Sequence, residues 1–277
     1  MEIKLEIIDK LGNVRNGKNE YEELTREMTV TSVDSVHLAT QELIFEEGDA
    51  IVVNVDQEDA FLIVKFDETL SESLVFVKNK EFRYSIPLAE GDVLSQSEFA
   101  FKGRAHYISA RAARDYEISQ YRNLAFNSHD QKDTNSVYPH AIANVETRND
   151  STFFAKNVIN GMHANLSHGP YPYQSWGINR QADAKITIEF GRNVKIDSVG
   201  IVLRADFPHD SYWEEVTLEF SDGSTEILNT VKSDKIQTFN FKERLTNAVS
   251  LMNLKKADDE SPFPALTEFE VYGIYDL

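Results

Sequence analysis

From Lys185 onward, apolar residues return at every second position, and this constrains the chain more than any other feature. Ile186, Ile188 and Phe190 alternate with Lys185, Thr187 and Glu189. Val199, Ile201 and Leu203 follow, and Val216, Leu218 and Phe220 alternate with Thr217 and Glu219. A period of two sends successive side chains to opposite faces, so each run is a half-buried strand. Gly191-Arg192-Asn193 predicts a turn, and Ser221-Asp222-Gly223-Ser224 predicts a tight hairpin ahead of Thr225. Phe239 and Phe241, then Val249, Leu251 and Leu254, then Phe269, Val271 and Ile274 continue the series. Long helical periods are missing. The pattern predicts an antiparallel β-sandwich, with the jelly-roll arrangement expected.

The N-terminal part is also β in pattern. Ile3, Leu5 and Ile7 alternate with Lys4 and Glu6, and the Gly12-Asn13 turn follows. Residues 51–55, 61–66, 74–77 and 82–86 read as strands, and Pro87 and Gly91-Asp92 punctuate their end. Turn signals recur at the spacing of a sandwich, and no chemical motif falls among them. The next stretch differs. Arg104, Arg111, Arg114 and Arg122 lie close together, interleaved with Tyr107, Tyr116, Tyr121 and Tyr138. It predicts an ordered connector, with a short helix over residues 109–123. Its arginines would pair with acids of both domains, or Arg104, Arg111 or Arg122 would bind a carboxylate. The expected organisation is an all-β chain with an N-terminal β-sandwich-like domain (1–107), a connector (108–145) and a C-terminal jelly roll (146–277).

Composition removes several function classes. The chain has 46 acidic and 28 basic residues among 277, a net charge of -18. Such a field repels nucleic acid and anionic lipid, so neither is an expected partner. There are no cysteines, which excludes disulfides, thiolate zinc sites and cysteine nucleophiles. Apolar runs such as residues 60–64 fall far short of the ~20 residues needed to span a bilayer. The opening MEIKLEIIDKLGN lacks the basic start and apolar run of a signal peptide, so a cytoplasmic location is expected. No nucleophile elbow, phosphate loop or dinucleotide fingerprint occurs.

Chemistry-bearing residues concentrate in two loops. Residues 162–177 hold His163, His168, Tyr171, Tyr173 and Trp176; residues 204–213 hold Arg204, Asp206, Phe207, His209, Asp210, Tyr212 and Trp213. Sugar binding needs an aromatic face for the C–H face of a pyranose and converging polar groups for its hydroxyls. Trp176 is the expected stacking platform. His163, His168, Tyr173, Arg204, Asp206 and His209 are the expected further ligand contacts, while Trp213 is expected to cap the core.

The order of these features carries a resemblance. An NVING turn at residues 157–161 precedes the aromatic loop. Glu189-Phe190-Gly191, Ser221-Asp222-Gly223 and a closing strand from Glu268 to Gly273 follow. Residues 152–274 resemble the discoidin or coagulation-factor C-type domain, a galactose-binding-like jelly roll. The whole chain is similar to bacterial two-domain proteins described as carbohydrate-binding. The resemblance implies carbohydrate as partner and ligand loops at one end of the sandwich. It also implies a structural calcium ion stapling the first loop to the last strand, at Asn157, Asn160, Asn165 and Glu268. Only Glu268 brings charge, so weak affinity is expected. Non-catalytic carbohydrate binding is therefore the expected function. An enzyme acting on an acidic sugar (lyase, epimerase or hydrolase, using Arg204, Asp206 and His209) stays open. So does a protein-assembly module, with the aromatics forming a homo-oligomer interface.

Overall fold

The computed structural model describes residues 1–204 and 211–277. The chain is 46% strand and 7% helical, so the all-β expectation holds. It divides into two compact units: Met1–Arg114 with Asp133–Val137, and Asp115–Lys132 with Tyr138–Leu277. The connector expected at 108–145 is therefore shared out between the units. The reason lies in its residues. His106–Ala112 is a strand paired with Ser35–Thr40 and Ala60–Lys65, since Ile108 and Ala110 alternate inward and are buried. The expected helix shrinks to Asp115–Ser119, none of whose residues is buried.

The first unit is a β-sandwich. One sheet runs Thr29–Val33, Glu2–Ile8, Ala50–Val55, Glu81–Ser85 in spatial order; the other contains Ser73–Val77, Ala60–Lys65, His106–Ala112 and Ser35–Thr40. Ile3, Leu5, Val53 and Phe82 from one sheet and Leu62, Val75 and Ile108 from the other share a single core.

The second unit is an antiparallel β-sandwich built on two long strands, Ile186–Leu203 and Gln237–Lys256. The turn expected at Gly191-Arg192-Asn193 is instead a bend within a continuous strand. Gly191 has φ 68°, and the register breaks between Glu189 and Val194. A side chain at Gly191 would also strike the Tyr138 ring, 2.2 Å from an ideal Cβ. The kink redirects the strand. Before it, residues 186–189 pair with His140–Ala143 and with residues 248–251. After it, residues 194–203 pair with Ala265–Tyr275. Trp213–Phe220 and Thr225–Asn229 complete one face, joined by the expected hairpin, where Phe220 N–H donates to Ser224 O at 3.0 Å. Among the described residues, no helix is long and apolar enough to cross a membrane.

Candidate functional site

A cavity of about 350 Å³ opens within the second unit, a volume suited to a small ligand. Three short segments wall it: Thr147 and Arg148 with Phe153, residues 177–180, and residues 262–265. His168 and Arg204 also line it.

Backbone contacts fix each wall. Trp176 and Gly177 pair with Leu266 and Ala265. Asn179 N–H donates to Thr147 Oγ1 at 3.0 Å, tying the first wall to the second. A Cβ at Gly177 would lie 2.6 Å from that same hydroxyl, so the close approach requires glycine. Arg204 follows directly on Ile186–Leu203. Its backbone N–H donates to Ala265 O at 3.0 Å and its Nη2 to Phe263 O at 2.6 Å. Arg204 is thus buried and secures the third wall from behind.

Arg148 and Arg180 are exposed. The Arg180 guanidinium lies over the Phe263 ring at 4.5 Å, and that of Arg148 over Phe153 at 5.5 Å. A cation so placed is attracted by the ring, and its N–H groups remain donors. Asp150 stands 3.8 Å from Arg148. Both arginines sit on unusual backbone: Arg148 and Asn149 have φ of 55° and 50°, and Asn179 and Arg180 have 48° and 61°. Left-handed non-glycine residues are uncommon and concentrate where ligands are held. The described lining holds three arginines and no carboxylate, in a chain whose net charge is -18.

The residues expected from the sequence fall in different places. His168 and Arg204 line the cavity. Asp206 and His209 lie outside the described residues. His163 is turned elsewhere, its Nε2 lying 3.1 Å from Glu270 Oε1. Tyr173 is half-buried and is not part of the described lining. Trp176 as stacking platform is corrected: it is 0% exposed. Its indole N–H donates to Val145 O at 2.9 Å, and its ring lies 6.3 Å from that of Trp213. Pairing of Trp176 with Leu266 turns the indole into the sandwich, where it offers no face to a ligand. Trp213 is buried with it, as a core cap should be, which removes it as an exposed assembly contact. Arg104, Arg111, Arg114 and Arg122 are absent from the described lining; Arg104 pairs with Glu42 at 3.4 Å inside the first unit. Sequence reasoning missed Arg148, Arg180 and Phe263. The Pro-Phe-Pro run at 262–264, which holds an aromatic rigidly in a loop, was the one available signal.

The expected calcium staple does not form a cation cradle. Asn157 Nδ2 donates to Ser151 O and Ser175 O. Asn165 Nδ2 donates to Leu203 O and Asp234 O. Asn160 Oδ1 accepts the Met162 N–H, and both Glu268 oxygens face the Gly161 N–H, at 3.1 and 3.2 Å. Calcium asks for six to eight converging oxygens; here backbone N–H groups take the oxygens of Asn160 and Glu268. Among the described residues, no three of His, Cys, Asp or Glu gather at one point. These residues do not fit calcium. The loop is instead held to the last strand directly, through Glu268. Burial, together with the charge of Glu270, pushes the Glu268 carboxyl well above its ordinary value, although the Gly161 N–H opposes this.

No family model matches the chain, and no curated protein matches it. Solved structures similar to it include chitosan-binding module 1 from a chitosanase/glucanase of Paenibacillus sp. IK-5, at 20% identity over 55% of this chain and 99% of that one, TM-score 0.38. Another is the family 32 carbohydrate-binding module of C. perfringens NanJ in complex with galactose, at 16% identity over 48% and 91%, TM-score 0.37. A third is a Streptococcus pneumoniae fucose binding module, at 15% identity over 55% and 96%, TM-score 0.39.

Proposed function

We propose that the second unit binds carbohydrate, without catalysis, in the cavity beside Phe263. One observation carries this reading: Phe263 is 44% exposed on the rim of a cavity of about 350 Å³ whose other walls present hydrogen-bond donors. Arg148, Asn179 and Arg180 supply them. A pyranose stacks its C–H face on such a ring and offers its hydroxyls to such donors. Hydrolysis of a glycoside needs two opposed carboxylates, and the described lining holds none. The residue-level likeness to discoidin-type domains, from Glu189-Phe190-Gly191 to the strand at Glu268, points to the same ligand class.

Calorimetry with a panel of neutral and acidic oligosaccharides tests the proposal. At least one should bind, and Phe263→Ala should weaken it about tenfold, ~1.4 kcal/mol, with the unfolding midpoint unchanged. A panel without binding, or a Phe263→Ala variant that binds as tightly as the parent, would overturn it.

A further inference from the structure

We infer that the ligand of this cavity is an acidic sugar, its carboxylate held by the N–H edges of Arg148 and Arg180. The inference rests on the carbohydrate reading above and adds the chemical class.

Three observations converge. The first is charge. In a chain of net charge -18, the described lining carries three arginines and neither aspartate nor glutamate. A fold that merely needed solubility would have no reason to gather cations at an aromatic-rimmed cavity. The long-range field of the chain repels anions, so an anion-selective site must be built locally, by donors at contact distance.

The second is geometry. Arg204 donates to the Phe263 carbonyl and so positions the wall. Arg148 and Arg180 are placed differently. Each guanidinium lies over an aromatic ring, its central carbon 5.5 and 4.5 Å from the ring centre. The ring's negative face attracts the cation and favours its position at the cavity wall. The coplanar N–H groups at the edge are the part that matches a carboxylate, two parallel bonds at a time. Asp150, at 3.8 Å with Arg148 69% exposed, is a weak partner that a bound carboxylate can displace. The described residues place no carboxylate in ion-pair range of Arg180.

The third is backbone. Arg148 and Arg180 each occupy a left-handed conformation beside a left-handed asparagine, on two separate walls. One such pair is a local accident of a turn. Two pairs that each deliver an arginine to the same cavity are a constraint held by the surrounding fold. Phe263, 44% exposed, supplies apolar surface for a ring, which a free inorganic anion would not need. A neutral sugar would meet both guanidinium groups with hydroxyl acceptors only, whose bonds are weaker than the charge-assisted pair a carboxylate makes.

The experiment uses the full chain and matched ligands. Oligogalacturonate is compared with its methyl ester, which keeps the sugar and removes the charge, and sialyllactose is compared with lactose. Citrate and a sulfated galactan serve as non-sugar and non-carboxylate anions. The expected result is binding of an acidic sugar at least tenfold tighter than its neutral counterpart, weakening as NaCl is raised from 50 to 500 mM. Arg180→Gln and Arg148→Gln should each lower that affinity about tenfold, with unchanged circular dichroism and unfolding midpoint. Arg180→Lys should recover only part of it, because an ammonium keeps the charge and loses the fork. Equal affinity for the acid and its ester, with the arginine variants unaffected, overturns the acidic class and leaves the carbohydrate reading standing. Tighter binding of the sulfated galactan overturns the carboxylate. Binding of citrate with no sugar bound overturns the carbohydrate reading, and the acidic-sugar inference with it. Binding by none of the ligands overturns both.

Discussion

The strand Ala265–Tyr275 serves two places of opposite character. At its start, Ala265 borders a cavity lined by arginine. Three residues on, Glu268 is buried, with Glu270 on the same face of the strand. The difference is in who satisfies the charge. The carboxylates are answered from within the protein: Gly161 N–H to Glu268, and His163 and the Tyr272 hydroxyl to Glu270. Arg148 and Arg180 are exposed, with Asp150 3.8 Å from Arg148. Filled acceptors mark a scaffold; the proposed site differs in presenting exposed cations.

Four measurements can break or sharpen this contrast. The largest effect belongs to the scaffold. Trp176→Ala removes a fully buried indole and should cost about 3–5 kcal/mol in urea unfolding. Should it abolish sugar binding at unchanged stability, Trp176 belongs to the site and the division is wrong. Phe263→Ala should do the reverse, changing stability by no more than about 0.5 kcal/mol while lowering sugar affinity about tenfold.

Glu268→Gln tests the closed end through pH. The folded value lies above the unfolded one, so the folded chain holds a proton that the unfolded chain releases. That contribution is fully present at and below the ordinary carboxylate range and is lost as pH rises toward the folded value. Glu268→Gln keeps a carbonyl oxygen for the Gly161 N–H and removes the titration. Its Tm should exceed that of the parent at pH 8, with the gap closing towards pH 5; a gap independent of pH would show that Glu268 does not titrate in this way. The smallest effect is expected from metal. Adding calcium or a chelator should leave Tm unmoved, since Glu268 and Asn160 already face backbone donors. A clear rise with calcium would reinstate the staple.

Much of the fold was legible because burial of one sheet face writes itself into the sequence at period two. Ile186, Ile188 and Phe190 announce a strand without help from the rest of the chain. Ser35–Thr40 was overlooked although Val36 and Leu38 alternate in the same way. Gly191 misled in an instructive manner. A glycine with positive φ serves a turn and a bulge equally well, and only the pairing of residues 186–189 and 194–203 in different registers decides between them.

Of the cavity's lining, only part was marked in the sequence. His168 and Arg204, expected as ligand contacts because an aromatic loop and a strand end draw attention, line the cavity. Arg148 and Arg180 stand in short polar stretches, and nothing local marks their backbone as left-handed. Trp176 looked like a platform because it sits in a loop rich in rings. Two residues of pairing with Leu266 and Ala265 reverse that, and such long-range pairing is invisible in a local window.

The sequence by itself determined the all-β class, the alternation that builds each sandwich, and the hairpin at Asp222-Gly223. These follow from side-chain period and turn chemistry, which act within a few residues. Tertiary structure alone decided which aromatics face water, and which cations share a wall. Arg148, Arg180 and Phe263 are far apart in the chain. They meet because Thr147 is bonded to Asn179, Gly177 pairs with Ala265, and Arg204 holds Phe263. A cavity is a property of those distant contacts, so its chemistry appears only when the chain has closed around it.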